Sequence, residues 1–191
     1  MNPEFKPMKN RVLFPTLLTV AFTSGVVHAG SNFVLSGSDV PTTSSFNAGT
    51  NWGAGTPVGA ANQAPVAGNT YQTGAFRIRT PQAVGNFTFA GDSLEIQAGG
   101  NMRNKTVGAV TIDNFILADT AIVELSQPNG QTGAGLAFGS LNGSISLTSG
   151  AATFMAGNVA DGVNHVFTID STISGTGGLN TTGSSGTVIL T

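Results

Sequence analysis

Short runs of alternating apolar and polar residues recur along the second half of the chain, each closed by Gly, Asn, Asp or Thr. Phe87-Thr88-Phe89, Leu94-Glu95-Ile96-Gln97, Val110-Thr111-Ile112-Asp113, Ile145-Ser146-Leu147-Thr148 and Phe167-Thr168-Ile169-Asp170 share this form, and Val188-Ile189-Leu190-Thr191 is the last run. Alternation sends successive side chains to opposite faces, so each run predicts a strand with one buried face. Gly99-Gly100, Asn129-Gly130, Asn142-Gly143 and Gly177-Gly178 supply turns between runs, because these residues tolerate positive φ. Ile145, Leu147, Phe167, Ile169, Val188 and Leu190 are the positions expected to point inward.

Ile122, Ile145, Phe167 and Val188 each lie near the start of an apolar run, and they follow one another at nearly constant spacing. Recurrence at about 20 to 50 residues marks a solenoid or repeat array. The predicted fold is therefore all-β, a right-handed parallel β-helix in which each coil buries an apolar row against the next. The alternative is an antiparallel β-sandwich, whose turn signals would come more often than these runs do.

The N-terminus reads differently. Lys9 and Arg11 precede a mostly apolar stretch, Val12 to Val27, that ends in Val27-His28-Ala29. A charged start, an apolar middle and a small residue at the end form a secretory signal peptide, with cleavage expected after Ala29. Pro15 and Gly25 break the stretch, which is too short for a permanent span. Met8 opens a more compact leader than Met1 does. The chain thus divides into a signal peptide (1–29), a Gly/Pro/Asn-rich capping region (30–75) and a repetitive strand region (76–191). The capping region has sparse apolar residues at Phe33, Val34, Leu35, Phe46, Trp52 and Tyr71. The repetitive region ends in the middle of a strand-like run and is expected to be truncated.

Composition supports strands over helices. Charged residues make up 8% of the chain, against about 25% in ordinary soluble domains. Gly, Ser, Thr and Asn, which favour turns and strands, take the place of the charged helix formers. The formal net charge is −2, and the residues after Ala29 carry four basic and eight acidic groups, a net −4. Too few cations are present to neutralise a nucleic-acid backbone. There are no cysteines, which removes disulfides, thiolate chemistry and Cys-based zinc sites.

The tail, Ile173-Ser174-Gly175-Thr176-Gly177-Gly178-Leu179 followed by Gly186-Thr187-Val188-Ile189-Leu190, resembles the first half of the autotransporter-associated β-strand repeat, with Ser184-Ser185 carrying one serine more than its pattern. Asn51-Trp52, Pro65 to Tyr71 and Phe89-Ala90-Gly91-Asp92-Ser93-Leu94-Glu95-Ile96 resemble, more loosely, the opening of large surface proteins that carry such repeats. The resemblance implies a passenger-like β-helix displayed on, or released from, a Gram-negative cell. It implies a structural or adhesive role, an outer-membrane or extracellular location, and surface glycans or other cells as partners. No nucleic acid is expected, and membrane contact only through the leader or downstream segments. Self-association is expected through the unpaired C-terminal edge.

Catalytic constellations are scarce. His165 is the only histidine after the leader, and no GxSxG, HExxH or CxxC motif occurs. Ser93, in Gly91-Asp92-Ser93-Leu94-Glu95, has a glutamate where a nucleophile elbow needs glycine. Asp92, Glu95, Asp113, Asp119, Glu124, Asp161 and Asp170 are the acids available for glycoside chemistry or calcium. The aspartates fall where such residues bond local backbone, and the glutamates at polar strand positions. A lyase needs cations beside its acids, and only Arg77, Arg79, Arg103 and Lys105 remain. The expectation is a non-enzyme with no catalytic, cofactor-binding or metal residues and no cofactor. Trp52 has two readings: a plug for the open end of the β-helix, or a platform stacking on a sugar ring. The alternative function is a carbohydrate-binding or polysaccharide-degrading β-helix.

Overall fold

The computed structural model describes residues 30–53, 62–125, 137–156, 165–183 and 186–191. The leader, Asp161 and the turn Asn129-Gly130 lie outside these residues. The strands are β1 (Asn32–Val34), β2 (Thr70–Gln72), β3 (Arg77–Arg79), β4 (Phe87–Thr88), β5 (Ser93–Ile96), β6 (Asn101–Asn104) and β7 (Val110–Leu117). They continue with β8 (Ile122–Leu125), β9 (Ala137–Leu147), β10 (Ala151–Ala156), β11 (His165–Gly175), β12 (Gly178–Thr182) and β13 (Gly186–Leu190). Among the described residues there is no helix, and so none long and apolar enough to cross a membrane.

Every ladder between these strands is parallel. The chain is a parallel β-helix, and the antiparallel sandwich is excluded. One sheet runs β1-β2-β5-β7-β9-β11-β13, with β4 also on β7; the other runs β12-β10-β8-β6-β3. The first sheet turns a corner, because β4 and β5 both pair with β7, at its beginning and its end. The coil therefore has three sides. Side one holds β1, β2, β5 and the later halves of β7, β9 and β11. Side two is the five-stranded sheet. Side three holds β4, the early halves of the long strands, and β13.

Register builds the core. On side one Phe33, Tyr71, Leu94, Phe115, Ile145 and Ile173 stack coil upon coil. On side two Ile78, Met102, Val123 and Phe154 do the same. On side three Val110, Leu141 and Ile169 form the row. All of these but Ile173, which is partly buried, are closed off from solvent. Each fully buried large apolar side chain contributes about 1.5–3 kcal/mol relative to exposure, which explains how a chain without disulfides sustains a long, narrow core.

The corner within the long strands depends on one glycine. Gly143, in β9, has φ +113°, and a Cβ there would run into the Ile112 carbonyl of the coil before. Asn114 Nδ2 donates to the Asp92 carbonyl oxygen at 2.8 Å and Ser171 Oγ to that of Leu141 at 2.7 Å, tying successive coils along this edge.

One expectation needs correction. The even spacing of Ile122, Ile145, Phe167 and Val188 does not trace one side of the helix. Ile122 lies on side two, Ile145 on side one and Phe167 on side three; only Phe167 and Val188 are register partners. The true coil length varies: Leu94 meets Phe115 and Phe115 meets Ile145, but the second of these coils takes up distinctly more chain than the first. Each side contributes an apolar run per coil, so runs from different sides mimic a period. Leu190 keeps the inward register expected of it without being buried. It is in register with the buried Ile169 but is 54% exposed, because β13 ends its sheet and no strand covers it. Ile145, Leu147, Phe167 and Ile169 are buried as expected, and Val188 is partly so.

Candidate functional site

Trp52 sits at the start of the solenoid. Its ring is 0% exposed, and Nε1 donates to the Ser45 carbonyl oxygen at 2.8 Å. It meets Tyr71 edge-on with ring centroids 4.9 Å apart, and Tyr71 stacks on Phe33 at 5.3 Å. Phe89 packs edge-on against both Tyr71 and Phe46. This aromatic group covers the first apolar layer, which would otherwise face water. Trp52 is fully buried, so no face of the indole is open to a sugar ring in this conformation.

The cap is fastened by a residue that the sequence pattern did not single out. The Asp39 carboxylate is 3% exposed and accepts from Ser45 N (2.8 Å), Ser45 Oγ (2.6 Å), Asn51 Nδ2 (2.7 Å) and Arg79 N (2.8 Å). Asp39 N in turn donates to the Arg77 carbonyl oxygen, so the cap segment occupies the outer edge of β3. The signal in the sequence was Asp39-Val40-Pro41 followed by Thr43 and Ser45, polar groups spaced to turn back onto the carboxylate.

The other acids are dispersed over different sides and corners. Asp92 accepts from Gly68 N at 2.7 Å, Glu95 from Gln72 Nε2 at 2.7 Å, and Asp119 from Ala151 N at 2.9 Å. Each of these bonds joins one coil to a neighbouring coil. Asp113 lies at the corner of β7 and Asp170 on side three in register with Asn142. Among the described residues no group of three or more His, Asp or Glu is placed to hold a metal ion. Ser93 opens β5 opposite Thr70, and His165 opens β11 opposite Gly186. The two positions belong to different sides of the coil.

The cations are brought together. On β3 Arg77 and Arg79 flank the inward Ile78, Arg77 partly exposed and Arg79 buried, and Arg103 on β6 is partly exposed, while Lys105 is buried. Arg79 is in register with Arg103, and Lys105 follows β6 directly. These are all the basic residues after position 29. Arg103 Nε and Nη2 both donate to Glu124 Oε2, at 3.0 and 2.8 Å, from the next strand of the same side. Arg77 Nε donates to Asn101 Oδ1 at 3.2 Å. Burial, and after it Arg103 and Arg77, lower the pKa of the nearly buried Arg79, while Asp39 and Glu124 act in the opposite sense. Burial, followed by Arg79 and Arg103, lowers that of Lys105 to about 8. The sequence signal was the alternation Arg77-Ile78-Arg79 and Met102-Arg103-Asn104-Lys105, about one coil apart, but only the register makes it one patch.

A scan against family models, a search of curated proteins and a search of solved structures each found no match to this chain.

Proposed function

We propose that this chain is an exported structural or adhesive cell-surface protein, not an enzyme, and that its β-helix is the displayed scaffold. The observation that carries this reading is how the chain uses its polar side chains. Asp92, Glu95 and Asp119 are spent on coil-to-coil hydrogen bonds, and Asp39 on the cap. The outward rows of the core strands are largely hydroxyl or amide, as at Thr111, Asn142, Ser146, Thr153, Ser174 and Asn180. Such a surface is uncharged yet wetted, and it stiffens a rod instead of assembling a reaction centre. The charged start and apolar stretch before Ala29 support export, and the repeat-like tail supports a surface or outer-membrane location.

The test is expression of the full chain in a Gram-negative host, followed by fractionation and mass spectrometry of the product. The expected result is protein outside the inner membrane with its N-terminus at Gly30. Cytoplasmic protein retaining Lys9 would overturn the reading.

A further inference from the structure

We propose that residues 38–45 form an autoinhibitory strap, latched by Asp39, that shuts the outer edge of β3 against a strand from a second copy of this chain.

The edge itself is the first argument. β3 pairs with β6 on one side only, and it ends the five-stranded sheet. Asn101 N donates to the Phe76 carbonyl oxygen and Thr80 N to that of Arg103, so the even-numbered residues serve β6. In a parallel ladder alternate residues serve opposite neighbours. Arg77 and Arg79 therefore turn their backbone groups to the outer edge, where a further strand would bind them.

The strap takes all four of these groups, and three of them with side chains. Arg77 N donates to Ser38 Oγ at 3.0 Å, and the Arg77 carbonyl oxygen accepts from Asp39 N at 2.8 Å. Arg79 N donates to Asp39 Oδ2 at 2.8 Å, and the Arg79 carbonyl oxygen accepts from Ser44 Oγ at 2.8 Å. Side chains thus imitate a strand without supplying one. The strap's own backbone turns away, with Val40 N on Thr43 Oγ1, Thr43 N on the Val40 carbonyl oxygen, and Pro41 carrying no N–H. No ladder continues from it.

Asp39 is the latch because it reaches both ends of the strap. Its Oδ2 accepts from Ser45 N as well as Arg79 N, and its Oδ1 from Ser45 Oγ and Asn51 Nδ2. Removing the carboxylate leaves two backbone N–H groups without an acceptor at a site that is 3% exposed. The other sheet is closed independently. Residues 51–53 return antiparallel along β1, through Gly53 N to the Val34 carbonyl oxygen and the Leu35–Trp52 bridge.

Register selects which strand of the second copy would enter. β12 lies at the opposite end of the same sheet. Its Asn180 and Thr182 continue the columns that begin at Arg77 and Arg79, and Thr181 the column of Ile78. Head-to-tail docking of β12 on β3 repeats the coil-to-coil geometry and sets no like charges against each other. Two-fold pairing of β3 with β3 would place Arg77 opposite Arg79, which destabilises a sheet.

The test is a disulfide between copies of the full chain, which has no cysteine of its own. Arg77→Cys with Asn180→Cys places the two thiols four strand spacings apart within one copy, about 19 Å, beyond reach of a disulfide; head-to-tail docking makes them neighbours. Under mild oxidation in dilute solution this pair should stay monomeric while Asp39 is present. Adding Asp39→Ala should produce a ladder of covalent multimers, and Trp52 emission should shift to the red, because its Nε1 partner, the Ser45 carbonyl oxygen, sits on the strap. Ser38→Ala with Ser44→Ala, which spares the buried carboxylate, should give a weaker ladder and decides the matter if Asp39→Ala does not fold. Arg77→Cys alone, beside Asp39→Ala, should stay monomeric. A ladder with the strap intact, no ladder from strap variants that keep a strand-type circular dichroism spectrum, or dimers from Arg77→Cys alone would overturn the proposal.

Discussion

Removing the indole of Trp52 separates a structural plug from a ligand platform. In Trp52→Ala the first layer of the solenoid loses a side chain that is 0% exposed and packs edge-on against Tyr71. Truncating a buried tryptophan costs about 3–5 kcal/mol. The Ser45 carbonyl oxygen also loses its donor at 2.8 Å, and a buried acceptor left without a partner accounts for about 1–3 kcal/mol within or beyond that figure. Against a total stability of about 5–15 kcal/mol for a domain, this is a large share. Trp52→Phe keeps an aromatic ring in the layer and loses the hydrogen bond, so it should fall between wild type and Trp52→Ala. Guanidinium unfolding followed by far-UV circular dichroism gives the three midpoints, since the variants lack the only tryptophan as a fluorophore. Solenoids lose end coils first when their interfaces weaken, so amide exchange should accelerate at Tyr71 before it does at Ile145. Unchanged midpoints in both variants would refute the plug.

Three further outcomes follow from single positions. Gly143→Ala should destabilise by about 1–3 kcal/mol, because φ +113° is strained for any Cβ and the Ile112 carbonyl blocks it; an unchanged unfolding midpoint would contradict the corner geometry. Phe167→Asp buries a charge against Phe154, whose ring centroid is 6.0 Å away, and should abolish folding or lower the midpoint steeply; native-like circular dichroism and melting would place Phe167 outside the core. Lys105 has its folded pKa lowered to about 8 from 10.5, so between those values the unfolded chain holds more protons and stability should rise with pH. Lys105→Met should flatten that rise, and equal slopes for wild type and variant would show that the ammonium is not desolvated.

The fold class was legible because period-two alternation and turn residues are local properties. Phe87, Leu94, Val110, Ile145 and Phe167 all lie in strands where the pattern put them. The coil length was not legible, because it is set by register between residues that alternation treats alike. Ile122 and Ile145 look equivalent in sequence, yet one faces outward on side two and the other inward on side one. The burial of Trp52 could be anticipated from the need to close an apolar end. The cationic patch could not, since Arg79 and Arg103 are remote in sequence and meet only through the pairing of β3 with β6. Asp39 was hidden for a similar reason: one of its partners, Arg79 N, lies far along the chain, on a strand of its own.

Stacking of the coils in register underlies the whole account, and a pair of introduced cysteines tests it in a chain that has none of its own. Thr153 and Asn180 are partners on adjacent strands of side two, whereas Asn101 and Thr153 are separated by the strand that carries Ile122. Adjacent partners lie about 4.8 Å apart, within reach of a disulfide, and positions two strands apart lie at about twice that distance, beyond it. Under mild oxidation, Thr153→Cys with Asn180→Cys should cross-link within one chain, giving a faster-migrating band on non-reducing gels that preserves the native circular dichroism spectrum. Asn101→Cys with Thr153→Cys should remain reduced. Efficient cross-linking of the distant pair, or none in the adjacent pair, would contradict the parallel β-helix.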